Sequence, residues 1–550
     1  MAQSLGEHAE PPLQAEQVAC EFDIRPDQVC RVTRHFVQKM KNGLANRCAW
    51  QLPTYVRTVP TGTETGRFLA VDLGGSNCRI CLVDLHGDST FTVVQSKHTV
   101  PANAMVNPSY RPVFAFIAER IADFLEAHRG PGRSLLSDAG RHEGQCSYQL
   151  GFTFSFVCEQ TSLARGTLIR WDKGWDIPDA VGRDPCALLQ EAIDNLGLPV
   201  QVSALANDSV GTLLTRSYSS GQGGSTLGAV IFGTGANAAY VEKLSNVRRM
   251  DTKAEDAGDI MVINTEWGCF DEELEVLPTT RYDDELDANS IDPGSQMFEK
   301  RVSGMYLGEL LRLAILRLLR GNVLHMHVHN GSRLFQPGGI GSSFLSRLAG
   351  DDGRDSEHAN MIVAETLAAD SVTLTDIQSI QILVASIARR AARLAGASLA
   401  AIVLQSGQLE TAPPSAKLSK IKAEECHPLA GPPIGRLQRF VMCGRLLLRW
   451  VLSFFGMGSL ITAPSSPSAS APAASSIVDE SPEELIDIGA DGSLIEFYPT
   501  FVADMRAAMR EIPEIGPDGE RRIRIGLAKD GSGVGAALMA QAAEKVKTRD

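Results

Sequence analysis

An α/β fold built from two related halves around a shared cleft follows from three features of the sequence. Two segments repeat one grammar of strand, glycine turn and strand, the first from Phe68 to Leu85 and the second from Gly228 to Val241. Long stretches with helical periodicity follow them. The chain, at 550 residues, also exceeds what one core supports, since single cores stop growing near ~250–300 residues.

The elements are read in order. Residues 1–12 form a polar tail without a basic flank or apolar run, so a secretory signal is not expected. Leu13–Leu44 is helical: Val29, Val32, Phe36 and Met40 recur at spacings of three and four, and Gly43 offers a stop. A Pro- and Gly-rich connection runs from Gln51 to Gly66. Phe68–Val71 and Ile80–Val83 are short apolar strands joined through Gly74-Gly75-Ser76-Asn77, a hairpin pattern. The same pattern returns where Ala229–Phe232 enters Gly233-Thr234-Gly235-Ala236-Asn237. Met297–Leu319 and the alanine-rich Asp376–Ile402 are long helices, and the glycines after Asp530 open into a final helix. Expected domains are 13–206, 207–545 and an insertion at 411–482.

That insertion differs in character. Ser465–Ser476 is almost wholly Ser, Pro and Ala, which cannot bury enough apolar surface to order itself, so the insertion is expected to be largely disordered. Inside it, Arg439, Arg445 and Arg449 flank apolar residues at 439–463. The uncharged run Trp450–Ala463 has 14 residues, short of the ~20 a spanning helix needs. A loosely docked surface helix is the plain reading, and peripheral membrane contact through 439–463 is the alternative.

A net charge of -13 argues against nucleic acid as a partner, because phosphate contacts need clustered Lys and Arg. It leaves a nucleotide open, since one ATP is held locally. The 11 cysteines show no disulfide framework, which fits a reducing compartment. Cys78 and Cys81 lie on a strand, where positions three apart face opposite sides, so they are not expected to form a redox or zinc pair.

Two motifs offer chemistry. In Asp72-Leu-Gly-Gly-Ser-Asn-Cys-Arg79, glycines free backbone N–H groups for a polyphosphate, Ser76 offers a hydroxyl, and Asp72 can hold magnesium through water. A plain tight hairpin explains the same residues equally well. Asn207-Asp208-Ser209 follows the apolar run Val202–Ala206. There a carboxylate can take a proton from a sugar hydroxyl while the amide orients its neighbour. Taken alone, the pair reads more readily as an N-cap on a helix Ser209–Arg216. Lys173 between Trp171 and Trp175, Glu266 before Trp267, and Glu299 add donors and acceptors that suit a sugar ring.

Several further stretches resemble the hexokinase family. They are Leu52-Pro-Thr-Tyr-Val, Leu150-Gly-Phe-Thr-Phe-Ser-Phe, Gly166-Thr-Leu-Ile-Arg-Trp, Ala206-Asn-Asp-Ser-Val-Gly-Thr-Leu, Phe232-Gly-Thr-Gly-Ala-Asn, Val262-Ile-Asn-Thr-Glu-Trp-Gly, Ser303-Gly-Met-Tyr-Leu-Gly-Glu-Leu and Asp530-Gly-Ser-Gly-Val-Gly-Ala-Ala-Leu. Their order matches fungal-type single-unit hexokinases over residues 13–410 and 485–545. The resemblance implies an actin-like ATPase (ribonuclease H-like) fold, two α/β domains around a cleft. It also implies transfer of the ATP γ-phosphoryl, with Mg2+, to the 6-hydroxyl of a hexose in glycolysis. Asp208 would be the base and Lys173 would touch the transferring phosphoryl. Ser155, Phe156, Asp172, Lys173, Asn207, Asp208, Asn237, Glu266 and Glu299 would surround the sugar. Asp72, Leu73, Gly74, Gly75, Ser76, Asn77, Arg79, Thr234, Gly304, Met305, Ser342, Ser346, Ser532, Gly533, Val534 and Gly535 would line the nucleotide site, with no metal ligated by protein alone.

Two positions depart from the family pattern. Val157 stands where Pro is usual. Asp172 stands where Thr or Ser normally touches the sugar, and an ionised carboxylate only accepts hydrogen bonds. Three functions are therefore weighed: a hexokinase for glucose or a related hexose, an N-acetylglucosamine kinase of the same family, and a catalytically weak sugar sensor. A cytoplasmic location is expected, with the mitochondrial surface as the alternative.

Overall fold

Pro26 sets the start of the fold. Its ring suits the first turn of a helix and forces the residue before it to be extended, and Arg25 is extended at φ -79°, ψ 158°. The expected single helix is therefore two, Pro11–Cys20 and Pro26–Ala45. Val29, Val32, Phe36 and Met40 are all buried as their spacing predicts. Gly43 does not stop the helix; a Cβ there would lie 2.9 Å from Gln51, so the glycine makes room for packing. A computed structural model describes residues 11–128, 148–221, 226–250, 259–350, 356–409 and 485–547. The insertion expected at 411–482, with its basic amphipathic stretch 439–463, lies outside the described residues.

Two sheets carry the molecule. The first has the order β4-β3-β2-β5-β8, from β2 (Thr65–Leu73), β3 (Asn77–His86), β4 (Phe91–Thr99), β5 (Tyr148–Phe154) and β8 (Val200–Ala206). The second has the order β1-β11-β10-β9-β14-β15, from β1 (Leu52–Pro53), β9 (Thr226–Phe232), β10 (Ala236–Lys243), β11 (Ile260–Asn264), β14 (Ile486–Asp491) and β15 (Ile523–Leu527). The hairpin β6 (Val157–Ser162)–β7 (Arg165–Arg170) and the antiparallel pair β12 (His327–Val328) and β13 (Ala369–Asp370) complete the strands among the described residues. In each main sheet a three-stranded antiparallel meander is extended by two parallel strands. This repeated order is the relation between halves that the two glycine turns predicted.

The strand period of two shows in β2 and β3. Leu69, Val71, Leu73, Cys78 and Ile80 face a core shared with helices Arg111–Ala127 and Pro185–Asn195. Ala70, Cys81 and Val83 face a second core with Leu213, Val534 and Leu538. Cys78 and Cys81 thus belong to opposite faces, and burial pushes both thiols up, Cys81 to about 12.

Two helices differ from expectation. Met297–Leu319 breaks at Ser303 into Glu299–Val302 and Gly304–Arg320, because Ser303 is extended and Gly304 N donates to Gly233 O at 2.7 Å. The helix Gly531–Lys547 does open with glycines, yet Gly535 serves helix packing. A Cβ on it would lie 2.1 Å from Gly211 Cα in the helix Asp208–Ser220. The 33-residue helix Leu374–Ser406 is buried along most of its length. Arg522 gathers the chain on either side of the insertion: its guanidinium donates to Gln408 O and Leu409 O, and its carbonyl accepts from Ile486 N.

Candidate active site

The ends of β2, β8, β9 and β14 and the turns that follow them line one cleft of about 510 Å³. Backbone polarity explains why function collects there. Where strands stop, carbonyls, amides and helix N-termini lose their partners and point into open space.

Asp208 opens the helix Asp208–Ser220 directly after β8. Asn207 caps it, accepting from Ser209 N at 3.0 Å, and Asp208 Oδ1 accepts from the same N–H at 2.8 Å. The cap reading and the base reading therefore do not exclude each other, since the capped Asp208 still lines the cleft. Burial raises the Asp208 carboxyl above its usual range, and the Lys173 ammonium opposes that rise.

Lys173 and Glu266 both have left-handed backbone, φ 56° and 49°. Such strain in non-glycine residues collects at functional sites. The Lys173 turn sits between two stacked tryptophans, Trp171 and Trp175, and Trp175 Nε1 donates to Gly75 O at 2.6 Å. Lys173 Nζ donates to Ser155 O at 2.7 Å. Burial lowers the Lys173 ammonium's pKa, and Asp172, Asp208, Glu299 and Glu266 outweigh it, so the net direction is up.

An amide and carboxylate network forms the opposite wall. Asn237 Nδ2 donates to Asn207 Oδ1 and Asn264 Oδ1, both at 3.0 Å. Asn264 Nδ2 donates to Glu266 at 2.8 Å. Glu299 accepts from Ala236 N at 2.8 Å. Burial pushes Glu266 up to about 7 and raises Glu299 and Asp172 as well. Four carboxylates around one ammonium favour neutral, hydroxyl-rich guests that can donate hydrogen bonds.

At the other end, Gly74, Gly75, Ser76 and Asn77 face Thr234 and Gly235. Asp72 is not free at the end of its strand. Its Oδ2 accepts from Arg79 Nη2 at 2.5 Å and from Ser532 Oγ at 2.8 Å. Asp491, at the end of β14, is a second carboxylate in this part of the lining.

Of the expected residues, Asp72, Gly74, Gly75, Ser76, Asn77, Arg79, Ser155, Asp172, Lys173, Asn207, Asp208, Thr234, Asn237, Glu266, Glu299, Met305 and Ser532 meet in the cleft. Leu73 does not; it is fully buried in the core. Phe156 is buried too and lies under Lys173, whose Nζ is 5.6 Å from the ring centroid. Val534 is core, and Gly533 and Gly535 pack against Cys81 and Gly211. Gly304 and Ser342 stand behind the Gly233 turn, and Ser346 follows one helical turn on. Thr212, Gln296 and Asp491 line the cleft as well, outside the expected set, and Asn264 joins its wall through Asn237 and Glu266. Asp491 had a readable signal, an apolar strand ending in Asp-Gly-Ser like the one ending at Asp72.

Comparisons with known proteins show the family and the fold. Family models described as hexokinase match residues 14–218 and residues 227–425 with 465–542. The chain is 41% identical to a glucokinase of Aspergillus niger over 98% of both chains. It is 33% identical to glucokinase-1 of Saccharomyces cerevisiae over 96% of each. A solved hexokinase from Schistosoma mansoni, complexed with glucose, superposes with a TM-score of 0.72 at 28% identity, covering 97% of this chain and 99% of that one. The α/β, actin-like ATPase fold is thereby shared. With matches spanning both sheets and a close relative along nearly its whole length, the chain belongs to the hexokinase family.

Proposed function

We propose that this chain transfers the γ-phosphoryl of ATP to the 6-hydroxyl of a hexose, glucose first, with Asp208 as general base. One observation carries the reading. The half-buried Asp208 carboxylate lines the same cleft as Lys173, between a wall of amides and carboxylates and a pair of glycine turns. The wall of Asn207, Asn237, Glu266 and Glu299 offers the acceptors and donors a hexose ring needs. The turns at Gly74–Asn77 and Thr234–Gly235 offer N–H groups to phosphates.

Asp208 takes the proton as the hydroxyl oxygen forms its bond to the γ-phosphorus, and the bond to the β,γ-bridging oxygen breaks to leave ADP. Lys173 offsets charge on the moving phosphoryl group. Asp72 and Asp491 present oxygen donors of the kind that suits Mg2+ held through water. That ion would neutralise phosphate charge. Closing of the cleft over the substrates would keep out water, which would otherwise accept the phosphoryl group.

Glucose is supported by the relatives from Aspergillus niger and Saccharomyces cerevisiae, both glucokinases. Asp172, with an oxygen that accepts no hydrogen bond from any described residue, keeps N-acetylglucosamine as the second reading. A sugar panel in a coupled ADP assay tests both. A higher kcat/KM for N-acetylglucosamine than for glucose overturns the first reading, and absence of turnover with every hexose leaves only the sensor. A cytoplasmic location, with the mitochondrial surface as alternative, is part of the same proposal and is tested by fractionation.

A further inference from the structure

Lys300 follows Glu299 directly in sequence yet is buried, with a side chain only 3% exposed. A buried ammonium is retained only where its charge and donors are met. Lys300 Nζ donates to Asp287 Oδ1 at 2.5 Å and to Asp292 O at 2.7 Å. Asp287 in turn accepts from Gly294 N with both carboxylate oxygens, at 3.0 and 3.1 Å. One ammonium thus ties both limbs of the segment Asp287–Gln296. The segment's far end is fixed as well: Gln296 N donates to Glu272 Oε1 at 3.0 Å, and Lys300 N donates to Gln296 O at 2.9 Å.

This segment borders the sugar half of the cleft. Gln296 lines it. A Cβ placed on Gly174, one residue past Lys173, would be 4.0 Å from Ile291 Cδ1, so the tip of the segment lies beside the Lys173 turn. Ile291 is 66% exposed there, an apolar side chain at the rim. Asp292 is close enough to Asp172 to contribute to its raised pKa, after burial and two nearby cations.

Resting on the hexose-kinase reading above, we propose that Lys300 is a positioning residue for the sugar. Its ammonium holds the Asp287–Gln296 segment in the shape that closes the hexose half of the cleft, and it fixes the turn that presents Glu299. It does not touch the reacting atoms. The Gly74–Asn77 turn and Asp491, on the ends of β2 and β14, lie outside this clamp.

The test compares Lys300→Met and Asp287→Asn with the unaltered chain, in steady-state kinetics with glucose and MgATP varied separately. Asp287→Asn is the milder change, since that carboxylate is 20% exposed. Hexose KM is expected to rise about tenfold to a hundredfold, the usual consequence of misplacing a positioning group by an ångström, while KM for MgATP stays within about twofold. The double variant should cost no more than Lys300→Met alone, because the two residues act as one clamp. Equal changes in both KM values, or an unmoved hexose KM in either soluble variant, would overturn the proposal. If Lys300→Met does not fold, Asp287→Asn alone decides. If the unaltered chain turns over no hexose, the hexose-kinase reading fails instead.

Discussion

Asp172 Oδ1 lies 4.0 Å from Lys173 Nζ, beyond hydrogen-bond reach, and accepts no hydrogen bond from any described residue. The ammonium has turned to Ser155 O instead, at 2.7 Å. A buried carboxylate oxygen without a partner is costly, and a ligand donor reaching it would remove that cost. Asp172 therefore acts on Lys173 through charge alone and keeps one oxygen available to a ligand donor.

Replacing Asp172 with Thr exchanges this acceptor for a hydroxyl that both donates and accepts. The ratio of kcat/KM for glucose to that for N-acetylglucosamine should rise about tenfold, the range a few changed pocket contacts give. The sugar panel measures it, and an unchanged ratio would remove Asp172 as the selecting residue.

Asp208→Ala should lower kcat by at least ~10²–10⁴, as loss of a positioned general base does. Glucose affinity should change much less, because Asn207, Asn237, Glu266 and Glu299 remain. Pre-steady-state phosphoryl transfer and glucose binding by tryptophan fluorescence separate the two effects. Near-normal kcat would place the base elsewhere.

Stability should depend on pH through the buried carboxylates. Glu266 titrates at about 7 in the fold against 4.5 as an ordinary side chain, with burial as the main cause. Between those values the folded chain binds more protons than the unfolded one, so this contribution is complete below pH 4.5 and is lost as pH rises to 7. Asp172, Asp208 and Glu299 are raised too and act in the same direction. Denaturant unfolding without sugar, from pH 5 to 8, should show a decline from these groups that Glu266→Gln makes shallower. An equal slope in the variant would contradict the assignment.

Gly535→Ala brings two opposed effects. Alanine favours a helix interior over glycine by about 1 kcal/mol. Its Cβ, however, would lie 2.1 Å from Gly211 Cα, and backbone cannot step aside as a side chain can. Overpacking of this kind costs about 1–3 kcal/mol, so the variant should be less stable. Since Gly211 lies on the helix that begins at Asp208, kcat should fall with Tm. Calorimetry and steady-state kinetics check the pair.

The sequence by itself determined what local rules control. Strand alternation and glycine turns marked the paired hairpins, the spacing of Val29, Val32, Phe36 and Met40 marked a buried helical face, and the motif order marked the residues of the cleft. Period and turn chemistry are short-range properties, so neighbouring residues suffice to show them. Tertiary structure decided the rest. It let Asn207 cap a helix while Asp208 lines the cleft, and it set Gly535 at a tight helix crossing. It broke a helix at Ser303 to meet the Gly233 turn, and it left Asp172 beside Lys173 without a bond to it. Each of those outcomes depends on a partner far away in the chain or on the exact path of the backbone, and local sequence carries no record of either.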